Sequence, residues 1–234
     1  MLDRLLKLFS SRPQRAPDAP GAVAHWASSR FLQYRSAAPH RFEIVGRLHE
    51  RALRAECANS SRPYILGLEL RARVDLELPP AGHVILLSKG LLRTLEAQAD
   101  ALYDHAEGGA HKRLQHLPEE LRWLNQFSDA TWPGPGDAFW RRYAVLGDAP
   151  ELARRWLDDE AQAFLLAGDN EAAVQVPVMI ALLRGKCYLR LQVNPSAQEA
   201  DALLALELLD HLSARALELA ARSGALHGSL SNPG

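Results

Sequence analysis

The sequence of 234 residues contains only two cysteines, Cys57 and Cys187, which excludes a scaffold held together by several disulfides. Both lie in segments that are predicted below as strands. Buried thiols in a reduced compartment fit this arrangement, and a single disulfide between the two strands is the alternative. The first residues lack the apolar stretch and small-residue cleavage site of a secretory signal, so we expect a cytoplasmic protein.

Long apolar runs and an excess of one charge are also missing. No run approaches the roughly 18–20 apolar residues that span a bilayer, so no transmembrane segment is predicted. The chain has 27 Lys and Arg against 28 Asp and Glu. It therefore has no global field that would attract nucleic acid, and we expect no nucleic-acid partner.

The sequence contains none of four common signatures of enzymes and cofactor sites: G-x-S-x-G, H-E-x-x-H, C-x-x-C and G-x-G-x-x-G. The loop 132–137 is rich in glycine and proline, but it lacks the lysine and hydroxyl residue of a phosphate-binding loop. We therefore expect no cofactor and no metal. The absence of signatures removes the specific arguments for an enzyme without excluding one.

The most informative feature that is present is an alternation between Tyr64 and Leu78. Every even-numbered residue there is apolar, whereas the odd positions from Glu69 to Glu77 are all charged. Side chains alternate sides along a strand, so the pattern predicts a half-buried antiparallel strand. Such a strand would extend about 50 Å at ~3.3 Å per residue. Because that is more than a small sheet needs, we expect a bulge, a projecting end or a bend, with Gly67 at the bend.

The remaining patterns predict an α+β fold: a mostly antiparallel β-meander and hairpin sheet flanked by helices, with a long C-terminal helix. Strands are expected over 42–48, 51–57, 83–87, 139–146, 174–183 and 186–193. Helices are expected over 22–34, 89–105, 118–127, 149–157, 159–167 and 196–223. The first of these helices would turn Val23, Trp26 and Phe31 toward the core.

Local signals at element ends refine these boundaries. Ser88 is expected to cap the helix that follows it, and Asp148 with Glu151 has the spacing of a capping box. Ser196 with Glu199 has the same spacing. Pro177 predicts an edge strand or a bulge, because proline cannot donate to a central ladder.

The chain divides into three regions by composition. Residues 1–21 predict an amphipathic N-terminal helix and a Pro-rich linker, 22–110 a first α+β half, and 111–234 a second. The connection at 108–118 is the expected boundary within one compact unit. The final helix is apolar around most of its circumference, so it either lies within the fold or forms a subunit interface and a homo-oligomer.

Two groups of residues are candidates for an interaction surface. Leu2, Leu5, Leu6 and Phe9 share one face of the N-terminal helix, which is too short to be stable alone. It must therefore dock on its own domain, on a protein partner or on a membrane surface.

The second group is the charged face of the predicted meander, represented by Arg54, Glu69, Arg71 and Arg73. Carboxylates interleave with the arginines there. One interpretation is that cross-strand charge pairs keep an open sheet face solvated. The other is a recognition surface for a phosphorylated or acidic partner.

The densest cluster of titratable residues is weaker evidence for a functional site. Its members are Asp100, Asp104, His105, Glu107, His111 and His116. The histidine spacings of six and five residues do not match the one-turn pairs that bind metals, and a polar helix end explains the cluster equally well. A deep pocket joining His83, His105 or His111 to carboxylates would instead favour a small-molecule hydrolase.

Two stretches resemble a pattern of uncharacterised bacterial α+β proteins. One combines Gly46-Arg47 with Ser61-Arg62-Pro63-Tyr64 and Gly67-Leu68-Glu69-Leu70, and the other joins 139–147 to Asp148-Ala-Pro-Glu and a leucine-rich helix. In those proteins the pattern often accompanies membrane segments, which are missing here. The resemblance implies an α+β fold and no catalytic residue.

Together these features favour a non-enzymatic, bacterial-type interaction or accessory module with a protein partner. A hydrolase without a recognisable signature and a homo-oligomeric structural component are the alternatives. The experiment that the sequence suggests is deletion of residues 1–21, which we expect to leave melting unchanged while a partner or membrane fraction is lost.

Overall fold

The computed structural model describes residues 21–79, 82–104, 119–167, 176–194 and 198–230. Within these ranges the chain forms nine strands and seven helices. The strands are β1 (Gln33–Ala38), β2 (Arg41–Leu48), β3 (Arg51–Asn59), β4 (Leu68–Asp75), β5 (Val84–Ser88), β6 (Ser128–Asp129), β7 (Tyr143–Gly147), β8 (Val178–Leu183) and β9 (Lys186–Val193). The helices are α1 (Ala22–Ser29), α2 (Lys89–Asp104), α3 (Glu119–Gln126), α4 (Asp137–Arg142), α5 (Pro150–Trp156), α6 (Asp159–Leu166) and α7 (Gln198–Leu230).

All nine strands form one antiparallel sheet in the order β1-β2-β3-β4-β9-β8-β5-β7-β6. The β8–β9 hairpin is inserted between β4 and β5, so strands from both sides of the 108–118 connection share a single sheet. This architecture confirms the predicted α+β fold class with its meander, hairpin and long C-terminal helix.

The two faces of the sheet are covered unequally. Helices α1, α4, α5, α6 and α7 pack on one face and enclose the main core, with Trp156, Phe139 and Leu206 fully buried. Helices α2 and α3 cover the other face only over the central strands, where Ile85 and Leu87 pack on Leu91. The rest of that second face, over β1–β4 and β9, carries mainly polar side chains; we call it the open face.

The C-terminal helix packs within this fold along its described side chains. Its residues Leu206, Leu209 and Leu212 are buried against the sheet. The indole Nε1 of Trp156 donates to the carbonyl of Leu212 at 2.9 Å. The apolar circumference of the helix is therefore used between layers of the molecule, and the helix runs on to Leu230 instead of ending at Gly224.

The predicted long strand is half as long as expected. Only Leu68–Asp75 forms β4, while Leu66, which the alternation places on the apolar face, is 78% exposed. The Ser60 N–H donates to the carbonyl of Gly67, and Ile65 N–H donates to the carbonyl of Arg62, which closes a tight loop before the strand. The expected bend at Gly67 is confirmed, because its φ of +84° belongs to the left-handed region.

The first helix is shorter than predicted, and a strand was missed. Helix α1 ends at Ser29, and Phe31 is 96% exposed instead of facing the core. The N–H groups of Phe31 and Leu32 bond to the carbonyls of Ser28 and Ala27, a Schellman-type ending that normally has glycine at the left-handed position. Because Phe31 stands where glycine is usual, the sequence contains no signal for this helix end. Strand β1 then begins at Gln33.

The segment predicted as a strand over 139–146 begins as helix α4, and β7 starts only at Tyr143. Aromatic residues favour strands in general. Here the rings of Phe139 and Trp140 pack edge to face at 4.9 Å, and Trp140 packs similarly on Trp132 at 5.2 Å. This tertiary packing outweighs the local preference.

Several predicted caps have other roles. Asp148 does not cap α5; it accepts from the His83 N–H, and proline occupies the first turn as expected. The Ser88 hydroxyl accepts from the Val178 N–H, bridging β5 and β8. Pro177 precedes the central strand β8, so the predicted edge position is wrong. Ser196 lies outside the described residues.

Both cysteines are buried and free, so the alternative of a disulfide is wrong. Cys57 lies on β3 and Cys187 on β9, both facing the main core. Burial raises the pKa of the Cys187 thiol to about 12, so this thiol behaves as a small core side chain.

Candidate interaction surface

A cleft lies on the open face, next to the part of the sheet that α2 and α3 cover. It measures about 270 Å³. Its floor is formed by β3, β4 and β9, and Met179 of β8 borders the covered part of the sheet. We call it the arginine cleft, because four arginines contribute to its lining: Arg54, Arg71, Arg73 and Arg190, together with Glu56, Ala72, Met179, Tyr188 and Leu189.

Strand register explains why the arginines converge. Arg54 of β3 pairs directly with Arg73 of β4, and Arg71 of β4 pairs directly with Arg190 of β9. All four lie on the open face because alternate residues of each strand enter the core. Like charges directly opposite one another disfavour the sheet, so this arrangement needs compensation from nearby carboxylates.

Three of the arginines are compensated by exposed ion pairs. Arg54 Nη2 lies 3.2 Å from Glu43, Arg71 Nη2 lies 2.8 Å from Glu56, and Arg73 Nη2 lies 3.1 Å from Asp75. The three guanidinium side chains remain about half to two-thirds exposed. Ion pairs of this kind contribute only about 0–1 kcal/mol each, so an incoming anion can compete with them.

Arg190 is held differently, by a buried network beneath the cleft. Its Nε lies 2.6 Å from Glu69 Oε1, and its Nη1 lies 2.5 Å from Glu120 Oε1. Both glutamates are almost fully buried. The Tyr64 hydroxyl donates to Glu120 at 2.8 Å, and the Ser60 hydroxyl donates to Glu69 at 2.8 Å. These contacts fix the Arg190 guanidinium at one place in the cleft wall.

Two members of this network, Tyr64 and Arg190, have raised pKa values. Burial, and next the charge of Glu120, raise the pKa of Tyr64 to about 12, so the phenol stays protonated and remains a donor. Burial alone would lower the pKa of the Arg190 guanidinium. The Tyr64 hydroxyl and the two carboxylates outweigh it, and the pKa is raised. Arg190 is therefore a permanent cation.

The structure brings part of the predicted surface together. Arg54, Arg71 and Arg73 line one cleft, as one of the two interpretations of the meander requires. Glu69 shares their face, but it is buried and bonded to Arg190 instead of being available for contact. The N-terminal candidates Leu2, Leu5, Leu6 and Phe9 lie outside the described residues.

Sequence reasoning missed two residues of the cleft, Tyr188 and Arg190. The alternation of β9 could have shown that both lie on the face opposite the main core, since Cys187, Leu189 and Leu191 are buried in that core. It could not show that β9 pairs with β4. That pairing joins distant parts of the chain and alone places Arg190 beside Arg71.

A second, smaller cavity of about 110 Å³ lies on the other side of Arg190. Its lining includes His83, Glu119, Glu120 and Arg184. The Nδ1 of His83 lies 2.7 Å from Asp148 Oδ2. Burial would raise the pKa of Asp148, but hydrogen bonds from the His83 ring and backbone outweigh it and hold that pKa below its usual value.

This cavity contains part of what a hydrolase would need. A histidine lies near carboxylates, but no serine, threonine, cysteine or lysine occurs among the described residues that line it. His105, His111 and His116 of the predicted titratable cluster fall outside the described residues. Among those that are described, no group of three or more His, Cys, Asp or Glu could hold a metal ion.

In the described part of the chain, no helix combines the length and the apolar character needed to cross a bilayer. No protein-family model matches the sequence. No curated protein matches it significantly.

Among solved structures, the chain is similar to the mycobacterial trehalose monomycolate transport factor A, TtfA. The TM-score is 0.42 at 12% sequence identity, over 82% of this chain and 90% of that one. A likeness at this level carries no conclusion about the function of this chain.

Proposed function

We propose that this chain is a non-enzymatic interaction or accessory module that binds an acidic, extended segment of a protein partner in the arginine cleft. The observation that carries the proposal is the convergence of four guanidinium groups on one cleft. Two pairs of arginines lie directly opposite one another across neighbouring strands there, Arg54 with Arg73 and Arg71 with Arg190. A face that serves only for solvation has no need of such like-charged pairs, because they disfavour the sheet.

Guanidinium chemistry fits such a partner. Each guanidinium has five N–H donors in a planar fork that matches a carboxylate. The pairs described above use one or two donors of Arg54, Arg71 and Arg73. Donors therefore remain for carboxylates of a partner, while Tyr188 and Met179 offer apolar surface at the border of the cleft.

The test is a binding titration with a fluorescein-labelled peptide of alternating glutamate and alanine, followed by anisotropy. We expect saturable binding that weakens as salt is raised, because exposed charges are screened. The double variant Arg54→Gln, Arg73→Gln should weaken binding by about tenfold or more, since each charge-assisted hydrogen bond contributes about 1.5–3 kcal/mol.

The chain offers a matched control. Arg154 lies on α5, behind the other face of the sheet, and its side chain is 52% exposed and paired with Glu151 at 2.7 Å. The variant Arg154→Gln removes a comparable exposed charge outside the cleft and should bind like the wild type. Weakening by Arg154→Gln of about half the free-energy change seen in the double variant would assign the effect to net charge, because the double variant removes two charges and the control one. No weakening in either would exclude the cleft.

The hydrolase remains the second candidate because of the His83–Asp148 contact at the small cavity. A histidine ring oriented by a carboxylate is able to act as a general base toward water. Turnover of small ester or amide substrates that His83→Ala abolishes would favour it over the interaction module. The cytoplasmic location stays a prediction. The docking of residues 1–9 on a partner or membrane also stays a prediction, and the deletion of 1–21 tests it.

A further inference from the structure

Phe31 is the most exposed large apolar side chain in the described part of the molecule, at 96%. It follows α1 and precedes β1, and its φ is 58°. Bulky L-residues rarely adopt this left-handed conformation. The chain therefore keeps a strained backbone at a position where the side chain gains no contact within its own fold, which suggests a contact with another molecule.

The neighbours of Phe31 hold it firmly. The guanidinium of Arg30 lies 4.5 Å from the centroid of the Trp26 ring, and its Nε donates to Asp210 Oδ2 at 2.7 Å. On the other side, Leu32 is buried against Gly46, where an added Cβ would come within 2.7 Å of the leucine. A rigidly presented aromatic side chain loses little freedom when it is buried by a partner.

An apolar groove of about 380 Å³ offers a receptor for such a ring. It lies between α5, α7 and the segment that follows β4. Its lining is mostly aliphatic and includes Leu78, Leu152, Leu182, Ala216, Leu219 and Ala220. Gly185 of the β8–β9 turn also lines it. We call it the end groove, because that turn lies at one end of the sheet. Its volume exceeds that of a phenylalanine side chain.

The strand register places Phe31 and the end groove at the same end of the sheet. Ala52, Asp75 and Lys186 are in register across β3, β4 and β9, so the β8–β9 turn lies level with the His49–Glu50 turn. Gln33 pairs with Val45, so Phe31 lies near that end as well. Strands β1 and β9 are four positions apart, about 19 Å at ~4.8 Å per strand.

We propose that two copies of this chain associate end to end about a two-fold axis, with Phe31 of each copy inserted in the end groove of the other. A two-fold interface uses the same surface twice, so a projecting group and its receptor at one end satisfy it reciprocally. Charges of both signs lie at that end of the sheet: Arg47 at 66% exposure, Glu50 at 92% and Glu77 at 71%. Two-fold symmetry lets the cations of one copy approach the anions of the other.

The association goes beyond the proposed function, because the arginine cleft lies on the opposite side of the sheet and stays accessible. The test is the mass of the full-length chain by light scattering across a range of concentrations. We expect a dimer for the wild type. Phe31→Gly should shift the chain to monomer at the same concentration without lowering the melting temperature of the monomer, because glycine relieves the left-handed strain.

Ala220→Arg should also give monomer, because the longer side chain fills the end groove from a half-buried helical position. Leu66→Gly is the matched control. It removes a different exposed apolar side chain, 78% exposed, from a loop beyond the opposite ends of β3 and β4, and should leave the dimer intact.

Mixing the two monomeric variants gives the sharpest result. The Ala220→Arg chain keeps its Phe31 and the Phe31→Gly chain keeps an open groove, so the mixture should recover a heterodimer with one of the two insertions. A wild type that is monomeric at high concentration would overturn the proposal, as would a dimer insensitive to Phe31→Gly. A third outcome is a monomeric wild type that dimerises only when Leu5→Glu and Leu6→Glu are introduced. That result would assign the groove to the N-terminal segment and would also overturn the proposal.

Discussion

Arg71 and Arg190 face each other directly across strands β4 and β9, yet the two are held in opposite ways. Arg71 pairs with Glu56 at a half-exposed surface, whereas Arg190 is enclosed with Glu69 and Glu120. The first arginine can exchange its partner for an anion of another molecule. The second is a fixed part of the structure, and this difference leads to the first prediction.

Arg190→Met should destabilise the fold strongly. It leaves the buried carboxylate of Glu69 without its cation and removes the shorter of the two ion pairs of Glu120, which keeps Arg62 at 3.3 Å. Breaking a buried pair costs about 3–5 kcal/mol. Arg71→Met, which interrupts an exposed pair, should cost about 1 kcal/mol or less. Urea unfolding of both variants measures the difference. Equal losses would show that the burial of the network does not govern its contribution.

Tyr64 should make the fold sensitive to alkaline pH. Its folded pKa of about 12 exceeds the ordinary value of 10.0. The folded state therefore favours the protonated phenol, and this stabilisation is complete below pH 10 and is lost as the pH rises toward 12.

Tyr64→Phe removes this group, so its unfolding free energy should fall less steeply than that of the wild type between pH 10 and 12. Denaturant unfolding at several alkaline pH values provides the comparison. Parallel pH profiles for the two proteins would contradict the assignment. Cys187 titrates in an overlapping range, with a pKa raised by burial from 9.0 to about 12, and it is common to both proteins.

Cys57 and Cys187 should resist a thiol reagent in the native state. Burial raises the pKa of both thiols, and the thiolate is the reactive form. We expect slow labelling of the folded chain by an aromatic disulfide reagent and rapid labelling of two thiols per chain in denaturant. Cys187 lies deeper in the core, so Cys187→Ala should leave the faster native labelling, at Cys57, unchanged.

Gly185→Ala should weaken the β8–β9 turn. The φ of Gly185 is +71°, and an added Cβ would come within 2.4 Å of the Leu78 carbonyl oxygen. The left-handed conformation alone costs a non-glycine residue about 1–2 kcal/mol, and the contact adds to that. Gly136→Ala is the control, because open space surrounds that position. Thermal melting should show a clear loss for the first variant and little change for the second.

Short-range patterns predicted much of the sheet. The meander β2–β3 and the hairpin β8–β9 follow from alternation and from the residues at their turns, where His49, Glu50 and Arg184 adopt the left-handed conformation. The prediction was wrong at the junction between α1 and β1. Phe31 occupies a helix-ending position that usually belongs to glycine, so α1 was extended too far and β1 was missed.

In the candidate site too, some features follow from local sequence and others only from the tertiary structure. The sequence by itself determined that Arg54, Arg71 and Arg73 share the polar face of half-buried strands, since the side-chain period of a strand is a local property. It also determined the antiparallel α+β class. Only the tertiary structure decided that the β8–β9 hairpin enters between β4 and β5, which brings Arg190 and Tyr188 into the cleft and covers half of that face with α2 and α3. Strand order depends on the packing of segments far apart in the chain, and local periodicity carries no information about which strand becomes the neighbour of which.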